Sequence, residues 1–153
     1  MTQTRTRATG SHARRDPRGI GHVYLLTADE SSIGELEAAL QSLPYCARGR
    51  VFVEVASAAD ISHIDVPSRM TVTWLTRSTR TGAPGSGRGC AAGEAMARAV
   101  CAWADEMLCG SDTPHIWLGG HYRGVSAVHE HLVHALAVPA DHVVTPAPYG
   151  LRG

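Results

Sequence analysis

The stretch His115-Ile116-Trp117-Leu118-Gly119-Gly120-His121 limits the fold more than any other part of the chain. A short apolar run ends in two glycines. A helical pattern then begins at once and continues to about Leu136. Strand, tight turn and helix together build a crevice at the carboxyl end of a parallel sheet. Glycines let the backbone turn and let a ligand approach closely. The free N–H groups of the helix start suit a phosphate or a carboxylate. On these residues alone, a ligand-binding turn and a merely tight turn stand level.

The remaining chain supplies the partners that such a unit needs. His22-Val23-Tyr24-Leu25-Leu26-Thr27 is a nearly continuous apolar strand, as expected for a central strand covered on both faces. Ile33, Leu36, Leu40 and Leu43 repeat at helical spacing, which predicts a helix over about 32–43 with a capping box from Ser32 to Glu35. Arg50 to Val55 and Met70 to Leu75 read as strands, the latter rich in β-branched and aromatic residues. Ala58-Ala59-Asp60 reads as one helical turn between them. Thr81 to Gly89 reads as a long mobile loop. A helix is predicted over 91–108, then a strand at 115–118, a helix at 122–136 and a last strand at about 142–145. Parallel pairing of the second and third strands needs a crossover of about a dozen residues, and segment 56–70 suffices. Right-handed crossovers then give a three-layer α/β/α fold with a five-stranded parallel sheet in order 3-2-1-4-5.

Composition sets the outer bounds. The chain has 153 residues, 44% hydrophobic and 18% charged, which suits one globular domain with a sizeable core. Net charge is zero, so nothing global points to nucleic acid or a membrane. No apolar run reaches a membrane span, and no secretory leader is recognisable, so a cytoplasmic chain is the default expectation. Residues 1–20 carry Arg5, Arg7, Arg14, Arg15 and Arg18 without periodicity and read as a disordered basic tail ahead of a domain over 21–153. Cys46, Cys90, Cys101 and Cys109 form no CxxC pair, so no zinc ribbon or iron–sulfur clamp is expected. Cys101 reads as a small buried hydrophobe, and Cys90 as an exposed thiol beside the loop.

Four stretches together resemble the C-terminal, NAD(P)H-binding half of the siderophore-interacting proteins, the flavin-dependent ferric-siderophore reductases. Leu25-Leu26-Thr27-Ala28-Asp29-Glu30-Ser31 resembles that family's LLAGDET. Arg50 to Val55 with Ala58-Ala59-Asp60 resembles its second strand and turn. Val72-Thr73-Trp74-Leu75-Thr76-Arg77 resembles VxWLxR. Trp117-Leu118-Gly119-Gly120 with His131-Leu132 resembles WxAGE…RRHL. The resemblance covers about residues 21–153. It implies a ferredoxin-reductase-like nucleotide-binding domain with NADPH or NADH as a weakly held cofactor. The family's FAD barrel has no counterpart in the tail, so this chain is not expected to bind FAD. Its hydride would pass to a flavin on a separate flavoprotein partner, and then to ferric siderophore. Departures from the family pattern are Ala28 for a glycine, Gly34 for a proline, His121 for a glutamate, Ser126 for an arginine, and Gly150 for the second of two aromatics. The rival class is a non-enzymatic domain that binds a small ligand or presents a protein-interaction surface, including that of a homodimer.

Candidate site residues follow. Thr27, Ala28, Asp29, Glu30, Ser31 and Ser32 lie past the first strand, where acidic residues either meet a ribose or stabilise a helix start. The resemblance places Arg77 at an adenosine 2′-phosphate, for which a guanidinium fork is suited. The plain alternative is a solvated arginine. Gly119, Gly120, His121 and Tyr122 form the second turn, with His121 a candidate phosphate or carboxylate contact, proton donor or, given partners, metal ligand. Tyr149 either stacks on a planar ligand or packs on the sheet edge. Trp117 reads as core. His129, His131 and His134 do not form HExxH, and no metal is expected.

Overall fold

The computed structural model describes residues 21–109, 113–146 and 149–151. The basic tail expected over residues 1–20 lies outside the described residues. Five strands form one sheet: β1 (His22–Asp29), β2 (Arg48–Val55), β3 (Arg69–Thr76), β4 (Thr113–Leu118) and β5 (Val143–Val144). Their order is β3-β2-β1-β4-β5, and every pairing is parallel. Three helices join them: α1 (Ile33–Gln41), α2 (Glu94–Met107) and α3 (Tyr122–Glu130).

Side-chain alternation along the strands makes two cores. Leu25, Phe52, Leu75, Ile116 and Leu118 face α2 and α3, where Met96, Val100, Val125, Val128 and Leu132 meet them. Leu26, Val51, Val53 and Val55 face α1 through Leu36 and Leu40. Neighbouring β1 residues Leu25 and Leu26 therefore enter opposite cores, and both are buried. This explains the uninterrupted apolar run in β1, since a central strand covered on both faces has no solvent side.

The β2–β3 crossover contains no α-helix. Ser57 and Asp60 form a reciprocal capping box around the turn Ala58–Asp60, and Ile64 then drops into the α1-side core. The long helix expected at 122–136 is α-helical only to Glu130. It widens into a π turn over His131–Ala135, closed by Leu136 N donating to the His131 carbonyl. Ala137 follows with φ of 53°, a left-handed residue that reverses the chain. The wider turn keeps Leu132 fully buried. The loop expected over Thr81 to Gly89 closes on itself through an antiparallel bridge between those two residues. Arg98 braces it by donating to the carbonyls of Thr81 and Gly82.

The starts of α2 and α3 touch backbone to backbone. A Cβ on Gly124 would lie 2.7 Å from the Gly93 oxygen and 2.8 Å from its Cα. This contact brings both helix starts to the carboxyl end of the sheet, beside the turns that follow β1 and β4.

Candidate functional site

The ends of β1 and β4 are locked together by a reciprocal pair of bonds. Thr27 Oγ1 donates to the Gly119 carbonyl at 2.8 Å, and Gly119 N donates to the Thr27 carbonyl at 3.0 Å. Thr27 is fully buried, so its hydroxyl is a fixed part of the crevice floor. Gly120 follows with φ of 114°, a conformation that favours glycine, and lies against the Ala28–Asp29 peptide. Ala28 itself points into the α1-side core.

Asp29 organises the first turn. Its Oδ1 accepts from Ser31 N at 3.0 Å, Ser31 Oγ at 2.7 Å and Ser32 Oγ at 3.0 Å. The expected capping box from Ser32 to Glu35 is not formed, because α1 has no side-chain cap bond. The Ser32 hydroxyl turns back to accept from Asp29 N at 3.0 Å instead. Asp29 competes for that hydroxyl from inside the turn and wins it.

Arg77 is neither solvated nor free. Its guanidinium makes a two-pronged contact with Glu30 and reaches Glu54 Oε1 at 3.2 Å. The Glu30 carboxyl is held below its ordinary range, chiefly by the Arg77 hydrogen bond, and the Arg77 pKa is raised by the same bond. Glu54 is buried at 1% exposure and also accepts from Gly93 N at 2.7 Å and Met96 N at 2.8 Å. One carboxylate thus caps α2 and anchors Arg77, which joins β2, β3, α2 and the turn after β1. Sequence reasoning missed Glu54, Gly93 and Gly124. An acid two residues beyond Phe52 on the same face of β2 was a cue to Glu54, but it named no partner.

His121 is the N-cap of α3, with Nδ1 accepting from Arg123 N at 3.4 Å. It fills the role more often taken by Asn or Asp, and the bond needs Nδ1 unprotonated. Tyr122 is 59% exposed, lies against Arg123 and has its ring centre 5.0 Å from that of His121. Tyr149 comes back over the floor, where its hydroxyl donates to the Gly120 carbonyl. Burial pushes the Tyr149 phenol up. Trp117, expected as core, is half-buried at the edge of the α1-side core, and Cys101 is half-buried too. His131 reaches across to Asp105 at 2.7 Å, while His134 is exposed.

Residues 22–149 match the profile of the siderophore-interacting protein family. The chain belongs to this family. Two solved structures of similar fold are the siderophore-interacting protein SipS from Aeromonas hydrophila, with a TM-score of 0.59 and 20% identity, and a siderophore utilization protein from T. fusca, with 0.54 and 24%. Each likeness covers 82% of this siderophore-interacting domain, but only 50% and 43% of those chains. Two proteins described as uncharacterized, from Mycobacterium tuberculosis and Mycobacterium bovis, are 42% identical over 65 residues. That match covers 42% of this chain and 22% of theirs. The domain therefore spans half or less of these relatives. No helix among the described residues is long and apolar enough to cross a membrane.

Proposed function

We propose that this chain is the nicotinamide-dinucleotide module of a ferric-siderophore reductase system, delivering hydride to a flavin held by a separate partner. One observation carries the reading. The family's two turns converge at the carboxyl ends of β1 and β4, where open α/β sheets bind their ligands. The residues fit the pyrophosphate of such a cofactor. The first ladder bond of α1 runs from Leu36 N to the Ser32 carbonyl, so the amides of Ile33, Gly34 and Glu35 precede it. A Cβ on Gly34 would meet nothing within 4 Å, so the approach to these amides is open there. Thr27, Gly119 and Gly120 would floor the site, with Tyr149 and His121 at its edge. When bound, the nicotinamide supplies a hydride, and the protein's part is to orient the ring and keep water from it.

The fit is poorer at the adenosine end. Asp29 is spent on Ser31 and Ser32, and Arg77 already holds two carboxylates. A 2′-phosphate on Arg77 would have to displace Glu30. This observation favours NADH over NADPH, and it also supports a second reading, a non-enzymatic domain that retains the fold without cofactor affinity. Calorimetric titration with NADH and NADPH, with and without an added flavoprotein, separates the two. The reductase reading expects NADH binding and flavin reduction that depends on this chain. Binding of neither cofactor, with or without the flavoprotein, would remove it in favour of the non-enzymatic domain.

A further inference from the structure

At the opposite, amino end of the sheet, three arginines share one face. Arg48 and Arg50 are two residues apart on β2, so both leave the side on which Phe52 enters the α2–α3 core. Arg69 is the register partner of Arg48 on β3 and emerges on the same side. Like charges directly opposite on paired strands are destabilising. A carboxylate nearby would relieve them, yet none of the ion pairs among the described residues involves these three. Arg48 Nε donates to the His22 carbonyl at 3.4 Å, and the Arg50 guanidinium lies 6.0 Å from the centre of the Phe52 ring. Arg69 is exposed.

The three arginines line a cavity of about 520 Å³ whose other wall is apolar. Trp103 from α2 stands edge-on to Phe52 at 6.1 Å, and Met107, 50% exposed, lines the same cavity. Volume and lining suit a small molecule. Cross-strand neighbours are about 5 Å apart and same-face residues on one strand about 7 Å apart, so the three side chains spring from backbone close enough to converge on one compact anion.

We propose that this cavity binds a small phosphomonoester, a compact dianion attached to a flat apolar body. A phosphomonoester carries about −1.5 to −2 charges at neutral pH and three acceptor oxygens, which matches three guanidinium forks better than one carboxylate does. The flat body stacks on Trp103 and contacts Met107, both suited to aromatic surface. Nucleic acid is a poorer match, because the chain is neutral overall and the arginines converge on one cavity. The site is separate from the crevice at the other end of the sheet and does not rest on the nucleotide reading.

The test is titration of the full chain with 1-naphthyl phosphate at fixed ionic strength, followed by the Trp103 indole signal in NMR spectra. 1-Naphthol, inorganic phosphate, citrate and a single-stranded oligonucleotide serve as comparison arms. Naphthyl phosphate should move the Trp103 signal and bind more tightly than every other arm. Arg69→Gln and Arg50→Gln should each weaken it about tenfold or more. Because Arg69 is exposed and has no charge partner among the described residues, Arg69→Gln should also raise the melting temperature without anion and abolish the rise that naphthyl phosphate causes. The proposal would be overturned if naphthyl phosphate perturbs Ser31, Ser32 and Gly120 in place of Trp103. Tighter binding of citrate or the oligonucleotide would overturn it too. So would equal stabilisation by chloride that Arg69→Gln leaves unchanged, which marks an adventitious ion only.

Discussion

At the carboxyl end of the sheet one guanidinium, Arg77, meets two carboxylates, whereas at the amino end Arg48, Arg50 and Arg69 share none among the described residues. The same fold therefore pairs its arginine with carboxylates at one end and, among the described residues, leaves three arginines without one at the other. Compensated charge acts as scaffold. Glu54 ties a helix start to two strands, and Glu30 fixes the turn that follows β1. Uncompensated like charge lowers stability unless something else supplies the counter-ion, so it points to a ligand. In the nucleotide reading the carboxyl end is the site, yet the groups there that could meet a ligand are largely engaged with one another.

The largest effect is expected from breaking the compensated end. Glu54→Ala would leave Gly93 N and Met96 N without their acceptor inside the fold and remove one partner of Arg77. Removing one side of such a buried ionic contact costs about 3–5 kcal/mol. Urea denaturation should show a loss in that range, and a loss below 1 kcal/mol would mean that Glu54 is not the anchor described. Gly124→Ala ranks next. On helix propensity alone it should stabilise by about 1 kcal/mol. Contact with Gly93 should reverse the sign, with overpacking costs of about 1–3 kcal/mol. Gly34→Ala, where a Cβ meets nothing within 4 Å, should show the favourable sign. The pair of melts thus separates backbone contact from propensity.

The sheet order, the two-sided burial of β1 and the crevice between the two turns were all legible in the residues. Each rests on local signals: apolar runs, periodicity and paired glycines. The network around Arg77 was not legible, because Glu30, Glu54 and Arg77 belong to different strand ends that only the fold brings together. Glu54 looked like an ordinary acid in a strand until the register placed it under α2. Ser32 looked like a helix cap because spacing to Glu35 fitted, but Asp29 offered its hydroxyl a nearer partner. The arginines at the amino end were hidden for the same reason, since Arg48 and Arg69 become neighbours only through the β2–β3 register. The widened turn at His131 carried no signal in the helical pattern.

A smaller effect sharpens the comparison through cofactor choice. Glu30→Gln removes one claim on Arg77 and should improve NADPH affinity relative to NADH by about tenfold, the size of one charged hydrogen bond. Parallel calorimetric titrations of wild type and variant check this, and an unchanged ratio would remove Arg77 from the 2′-phosphate position. The cost to stability should stay below about 1 kcal/mol, because Glu30 is partly exposed. It should also depend on pH. The folded-state pKa of Glu30 is lowered, so the pair's contribution is present above the unfolded value near 4.5 and is lost as pH falls through the folded value. The stability gap between wild type and Glu30→Gln should accordingly hold at neutral pH and close in acid.

The smallest effect concerns Tyr149, where a hydrogen bond and a ring can be separated. Tyr149→Phe removes the donation to the Gly120 carbonyl but keeps the ring over the crevice floor. A net neutral hydrogen bond contributes about 0.5–1.5 kcal/mol, so the melt should shift slightly. Burial raises the phenol's folded-state pKa, so the contribution of the neutral form is complete below the unfolded value of 10.0. It is lost as pH rises through the higher folded value. The difference between wild type and Tyr149→Phe should therefore shrink in strong base and stay constant near neutrality. In the nucleotide reading the ring provides stacking surface, so Tyr149→Phe should leave NADH affinity nearly unchanged while Tyr149→Ala weakens it. If Tyr149→Phe weakens binding as much as Tyr149→Ala, the hydroxyl's hold on Gly120 shapes the floor, and the ring is not the contact. If neither variant changes binding, Tyr149 belongs to the scaffold with Glu54, and the ligand-facing surface at this end reduces to the amides of the two turns.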